Sequence, residues 1–281
     1  MRSCTKRLYI AGLWAISSGT LATASGNPST PLTARGQQAT TRLLDATWHA
    51  AGSVGTDRAR QTDDPDALYR DRETLANVRR AVDIWQAQLA TRPLDFEALW
   101  KLARARYWLG TNGLPPAQRK GALEQGVADA RRASRLAPDR PEGPFWMAAN
   151  MGALAESFGL RQGLRYRTDI RRELERTLAL DARFMQGSAD RALGRWYHKV
   201  PGMFGGSKER SEAHLRKALA YNTDSVMTRF FLAETLIELN RHAEARKELE
   251  AAIAAPLDPE WAPEDRRFRE QAKQLLGKMT R

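Results

Sequence analysis

The chain has 281 residues, enough for one large domain or two small ones, and its 42% hydrophobic and 28% charged content is that of an ordinary soluble globular protein. Lysine and arginine outnumber aspartate and glutamate 45 to 33, a formal net charge of +12. The single cysteine, Cys4, excludes an intrachain disulfide, so the fold rests on packing alone.

The N-terminal stretch reads as a secretory signal peptide. Arg2, Lys6 and Arg7 precede a short apolar core at residues 8–16 (LYIAGLWAI), and Ala22-Thr23-Ala24 fits a small-x-small cleavage site before Ser25. A membrane span wants about 20 apolar residues. This core is shorter and runs into Ser17, Ser18, Gly19 and Thr20, so an uncleaved anchor is the weaker reading. Cleavage near Ala24 removes Cys4 and three positive charges, leaving +9, and no cysteine follows the core to carry a lipid. The expected location is periplasmic or secreted. An exported chain rarely meets nucleic acid, so a solvated Arg/Lys surface explains the charge; the sharper alternative is attraction to anionic lipid or an acidic partner.

Residues 25–36 (SGNPSTPLTARG) read as a disordered tether, and residues 37–281 as a single helical-repeat domain. A first helix spans 37–51, with Leu43, Leu44, Trp48 and Ala51 on one side. From Pro65 onward the apolar spacing is helical, and no alternating Val/Ile/Thr-rich run predicts a strand. Val78, Val82, Trp85 and Leu89 mark one helix. Leu99, Leu102, Ala103 and Tyr107 mark the next, with Asp95 as its N-cap and a loop at 110–116 as its end. Residues 161–176 carry six arginines that Asp169, Glu173 and Glu175 can pair at helical spacing: a salt-laced face, or else a docking patch for an acidic partner. Residues 230–239 (FFLAETLIEL) are apolar on more than one side, as an interior helix is. Residues 257–263 read as extended, and 266–279 as a capping helix with Phe268, Ala272, Leu275 and Leu276 inward.

The stretch at residues 191–219 organises the rest. Leu193, Trp196, Tyr197 and Val200 lie on one helical stripe, which Pro201-Gly202 ends. Gly205-Gly206 allows a tight reversal, and Ser207 caps a second helix whose apolar face holds Leu215, Ala218 and Leu219. Ala192, Gly194, Ala213 and Ala218 are placed to let the two backbones approach. The second-helix pattern recurs. Ala81, Trp85, Gln88 and Pro93 give it, as do Gly126, Ala130, Ala133 and Pro138. Ser211, Leu215, Ala218 and Thr223 repeat it, then Ala245, Leu249, Ala252 and Leu257, while Asp181 marks one further break. The breaks are mostly wider apart than the ~34 residues of a standard tetratricopeptide repeat. The prediction is an all-α array of tetratricopeptide-like hairpins, an α-α superhelix that buries apolar faces by stacking.

No catalytic constellation, cofactor motif or metal spacing is found, and the chain is read as a binding protein rather than an enzyme. Four histidines are scattered, none in a metal-ligand spacing. Residues 202–208 (GMFGGSK) fail as a phosphate loop because Ser207 stands where a glycine is needed and no strand precedes. Asp63-Asp64-Pro65-Asp66 is acidic, but Pro65-Asp66 opens a helix, so capping explains it better than calcium. Residues 144–151 mix aromatics and methionines with a polar Asn150, a surface suited to an apolar or peptide-like ligand. The candidate partner or ligand groove is therefore Phe145, Trp146, Met147, Asn150 and Met151, together with Trp196, Tyr197, His198, Met203 and Phe204. For His198 the alternative is a structural role near a helix end.

From about residue 68 to 276 the chain resembles the T-component family of tripartite ATP-independent periplasmic (TRAP) transporters. The resemblance is carried by FEALWKLARARYWLG, RPEGPFWMAANMGALAESFGLRQGLRYR, ADRALGRWYHKVPGMFGGSKERSEAHLRKAL and FFLAETLIELNRHAEARKELEAAIAAPLDPEW, of which GRWYHKVPG-x-x-GGS is the most specific. A fainter likeness links that block to the regulators of microtubule dynamics. The family implies an exported all-helical accessory of periplasmic solute uptake that docks a solute-binding protein and holds a small hydrophobic ligand. Some members are lipid-anchored and oligomeric, which leaves a homo-oligomer open; this chain has no anchor cysteine. The alternative is a cell-envelope interaction scaffold unrelated to transport.

Overall fold

A computed structural model describes residues 64–158 and 160–279. The expected signal peptide, tether and first helix, with Trp48 and His49, lie outside the described residues. Among those described there are eleven α-helices and no strand. They are α1 (Pro65–Arg70), α2 (Leu75–Thr91), α3 (Phe96–Asn112), α4 (Pro116–Leu136), α5 (Glu142–Ser157) and α6 (Leu160–Leu180), then α7 (Phe184–Lys199), α8 (Lys208–Tyr221), α9 (Val226–Glu238), α10 (His242–Ala254) and α11 (Ala262–Met279). None is long and apolar enough to cross a membrane.

Several helix starts follow from side-chain caps, each satisfying an amide that lacks an intrahelical acceptor. Asp64 Oδ1 accepts from the Asp66 amide at 3.0 Å, with Pro65 in the first helical position. Asp95 Oδ1 accepts from Ala98 at 3.0 Å and Ser207 Oγ from Arg210 at 3.2 Å, as the sequence predicts. Ser225 Oγ caps α9 through Thr228 at 3.3 Å.

Each helix packs on the next, and α3 also meets α5, α7 meets α9, and α9 meets α11, which is the stacking of successive hairpins. The repeat positions explain the close crossings. Ala81, Ala130, Ala133, Ser211, Ala218, Ala245 and Ala252 are all at or below 1% exposure, with Leu215 and Leu249 beside them. In the α7–α8 hairpin a Cβ on Gly194 would lie 2.5 Å from Leu215 Cγ, so only glycine permits that approach. Ala218 shares this hairpin contact, its Cα 3.2 Å from where a Cβ on Gly187 would lie, but Ala192 is buried in the central core and Ala213 is exposed.

Three further expectations are corrected. The loop assigned to residues 110–116 begins only after Asn112, because Gly110 stays helical and lets Leu123 of α4 pack on its backbone. The extended reading of 257–263 gives way to a turn, in which the Trp261 amide donates to Asp258 O at 3.0 Å, and α11 starts at Ala262. The α6–α7 break is also more severe than Asp181 alone implies. Met185, Gln186 and Gly187 are all left-handed, with φ of 46°, 58° and 75°. Non-glycine residues hold that conformation only when their surroundings fix it. Here Gln186 is anchored on both sides, donating to Asp258 Oδ2 at 3.0 Å and accepting from Asn222 Nδ2 at 2.5 Å.

The array does not end open. The final helix reaches back to the first. Arg72, in the α1–α2 turn, donates to both carboxylate oxygens of Glu264 at 3.3 and 2.6 Å and to the Glu260 carbonyl at 2.5 Å. Arg267 donates to Asn112 Oδ1 at 2.8 Å at the end of α3, and Arg266 pairs with Glu73. Hairpins some 190 residues apart in sequence are thereby joined.

Candidate functional site

Closure leaves a cavity of about 410 Å³ in the middle of the array. Its lining divides the helices in two. Among the described residues, α1, α3, α5, α7, α9 and α11, with the two turns that precede α2 and α11, contribute to it; α2, α4, α6, α8 and α10 do not. One helix of each hairpin thus faces inward, while the repeat-bearing partner forms the outer layer.

The walls are aromatic. Tyr69, Tyr107, Trp108, Phe145 and Trp146 come from α1, α3 and α5, and Phe231, Trp261 and Phe268 from α9, α11 and the turn before it. Phe145 and Trp146 meet edge-on at 5.1 Å between ring centres, and Tyr107 lies 5.8 Å from Trp146. The exposed Arg70, Pro259 and Glu260 mark the rim.

Set into these walls are five arginines against three carboxylates, an excess of two positive charges. Arg72 is held by Glu264. Burial opposes its charge, but Glu264's charge and hydrogen bond, then Tyr69 and Glu260, outweigh that and raise its pKa. Arg104 sits 4.0 Å over the Tyr69 ring and pairs with Asp66 at 3.4 Å, and Arg70 pairs loosely with Asp64 at 3.7 Å. Arg191 and Arg267 have no ion-pair partner among the described residues. Arg191 donates to Ser188 Oγ at 2.6 Å and lies 5.4 Å over Trp261, while Arg267 makes its Asn112 hydrogen bond and lies 5.0 Å over Phe268. Burial lowers the pKa of both, that of Arg191 to about 10, so both remain charged at neutral pH. Burial also pushes the Tyr69 hydroxyl up to about 12 and the Tyr107 hydroxyl well above its usual value, keeping both protonated. Asp265, next to Glu264, is raised to about 6 by burial, with the charges of Asp258 and Glu264 adding to the effect.

Of the residues singled out from sequence, Phe145 and Trp146 line this cavity. Met147 and Met151 are buried in the central core beside them. Asn150 is fully buried and works on the backbone, its Nδ2 donating to Ala103 O at 3.1 Å and Trp146 O at 2.8 Å. The second group lies elsewhere, at the α7–α8 turn. Trp196 is core, with Nε1 donating to Arg167 O at 3.1 Å, and Tyr197 stacks on His214. His198 is buried. Its Nδ1 is 3.0 Å from Thr235 Oγ1 and its Nε2 3.2 Å from Glu238. Burial, followed by Arg195, Lys208 and Lys199, holds its pKa down at about 2. With its hydrogen on Nε2 the neutral ring donates to Glu238, while Nδ1 faces Thr235 Oγ1, whose own hydrogen goes to the Phe231 carbonyl at 2.9 Å. Met203 is 85% exposed, and Phe204 is half-buried beneath Arg167. The two groups therefore do not form one groove.

Sequence reasoning missed the arginines. A signal was present: Arg104, Tyr107 and Trp108 share a helical face, an arginine among aromatics where a core helix has aliphatic residues. In the arginine-rich helix α6, by contrast, Arg172 pairs with Asp169 at 2.8 Å and Glu173 at 3.1 Å and Arg171 with Glu175 at 3.4 Å, while Arg176 donates to Ser134 Oγ and the Pro138 carbonyl.

Comparison with known families matches the chain, over residues 128–280, to the TRAP transporter T-component model. Comparison with curated proteins gives no match. Among solved structures, the chain is similar to a thermophilic TPR protein of Thermus thermophilus. That match has a TM-score of 0.58 and 21% identity, and covers 76% of this chain and 98% of the other. At that identity the likeness shows the fold alone.

Proposed function

Because the chain belongs to the TRAP transporter T-component family, we propose that it is an exported accessory of periplasmic solute uptake that docks a solute-binding protein. One observation carries this beyond family membership: the helical array closes on itself around a cavity with an exposed rim, giving a ligand compartment and a ring of surrounding surface for a partner. A cavity of this volume falls within the usual range for small-molecule sites, ~300–1,000 Å³. Binding, not chemistry, is the work assigned to it. Export follows from the N-terminal residues, and the location is the periplasm or beyond.

The exposed Met203 and half-buried Phe204 at the α7–α8 turn are a second contact region in this reading. The test is affinity purification of the tagged chain from native envelope extract, with the partners identified by mass spectrometry. Enrichment of a periplasmic solute-binding protein, lost on Met203→Asp or on substitution at the cavity rim, supports docking. Enrichment of unrelated envelope proteins alone supports the general scaffold instead. Sequencing the N-terminus of the purified chain checks cleavage near Ala24.

A further inference from the structure

We propose that the central cavity binds an organic anion: a carboxylate head received by Arg191 and Arg267, on a bulky aromatic or aliphatic body held between the aromatic walls.

The first support is charge. Arg70, Arg72 and Arg104 each form an ion pair with a carboxylate, whereas Arg191 and Arg267 form none and feel only the longer-range charges of Asp265 and Glu264, and of Glu264, respectively. Both line the same cavity, and Tyr107 and Glu264 lie within electrostatic reach of each. A buried cation without an ion-pair partner is costly, and an anion arriving from solution reduces that cost. The second support is independent of charge. Five polar side-chain atoms of lining residues are buried in the wall without a hydrogen-bond partner: Nε of Arg104, Arg191 and Arg267, and Nε1 of Trp108 and Trp146. All five are donors. No buried acceptor of a lining residue is left over, so the complement is a group rich in acceptors and poor in donors. A carboxylate meets that description, and guanidinium groups bind it in bidentate fashion. A cation is repelled, and a neutral hydrocarbon leaves the donors unmet. The third support is the wall chemistry: eight aromatic rings surround a volume far larger than a carboxylate needs, so the remainder of the ligand is apolar.

The experiment uses the chain alone, so its outcome is separate from whether a solute-binding protein docks. Two fluorescent probes share one aromatic body: 1-anilinonaphthalene-8-sulfonate carries an anionic group, and N-phenyl-1-naphthylamine does not. The native chain binds the anionic probe at least about tenfold more tightly, as a charge-assisted hydrogen bond in a dry site implies. Decanoate displaces it at lower concentration than decan-1-ol does. In the Arg191→Gln/Arg267→Gln variant the anionic probe loses about tenfold or more while the neutral probe changes less than about twofold. Circular dichroism verifies that the variant is folded. Should it not be, Arg267→Gln alone, which gives up a single hydrogen bond to Asn112, shows the same selective loss. Equal affinity for the two probes, tighter binding of the neutral one, or anionic binding unchanged in the variants overturns the proposal; the last result would place the probe on the basic outer surface.

Discussion

The pair that closes the array offers the sharpest test of its architecture. Arg72 and Glu264 have side chains only 5% and 12% exposed, and their contacts are 2.6 and 3.3 Å. Replacing Glu264 by leucine leaves the guanidinium buried, with only the Glu260 carbonyl at 2.5 Å and the rings of Tyr69 and Trp108 at 5.5 and 5.2 Å. Breaking one partner of a buried pair costs roughly 3–5 kcal/mol. At ~2–4 °C per kcal/mol for a domain of this size, the melting temperature should drop by about 10 °C. Arg72→Met combined with Glu264→Leu removes both charges and keeps similar volume, so most of that loss should be recovered, to within about 1–2 kcal/mol of the native chain. Urea denaturation of the four proteins in the cycle gives the coupling energy directly. Hydrogen exchange should show α11 and the α1–α2 turn losing protection together in Glu264→Leu. A single-variant loss under about 1 kcal/mol, or a double variant as damaged as the sum of the singles, would refute closure through this pair.

Three other substitutions probe separate layers. Gly126→Ala gains about 1 kcal/mol of helix propensity, but its methyl would sit 2.2 Å from Asn150 Oδ1 and dislodge the amide that holds the Ala103 and Trp146 carbonyls. Overpacking and lost hydrogen bonds prevail, and urea denaturation should register a net loss of roughly 1–3 kcal/mol. His198 is held neutral in the fold, its pKa pushed down to about 2, whereas the unfolded chain takes up a proton near pH 6.5. Stability is therefore lost as pH falls through the unfolded value. The difference between native and His198→Gln should narrow by about 1.4 kcal/mol from pH 7.5 to 5.5, and a constant difference would contradict the assignment. Arg191→Met keeps the contact with Trp261 while removing an unpaired buried charge. The unliganded chain should melt higher by a few degrees yet lose the anionic probe, and a lower melting temperature would count against an uncompensated cation at that position.

The layer legible in the sequence is the outer one. Ala81, Ala130, Ser211 and Ala245 announce themselves because crossing helices demand small residues at fixed steps, and that demand is local to each hairpin. The cavity was only half legible, because it is made by contacts that no local pattern encodes. Arg72 and Glu264 lie 192 positions apart, and nothing near either names the other. Trp196 to His198 read as a candidate groove because what covers them is distant in sequence: Arg167 of α6 meets Trp196, His214 of α8 stacks on Tyr197, and Thr235 and Glu238 of α9 surround His198. The left-handed run at Met185 to Gly187 was hidden for another reason: two of its three residues are not glycine, and only the anchoring of Gln186 by Asp258 and Asn222 holds it there.

That run bears on what the cavity is for. Left-handed non-glycine residues cost roughly 1–3 kcal/mol each, and an unsatisfied buried donor costs about as much. The strained segment places Met185 on the cavity lining and starts the regular part of α7 at Ser188, one turn before Arg191. Strain, orphan donors and unpaired cations thus converge on the inner layer, while the outer helices keep small-residue packing and paired surface charges. A protein whose only task was to stack hairpins gains nothing from such an interior, since methionine and leucine would fill it with less strain. On the proposed reading, the inner-layer residues outside the Arg72–Glu264 closure answer to a ligand as well as to the fold, and their chemistry, cationic within aromatic walls, describes what that ligand must offer.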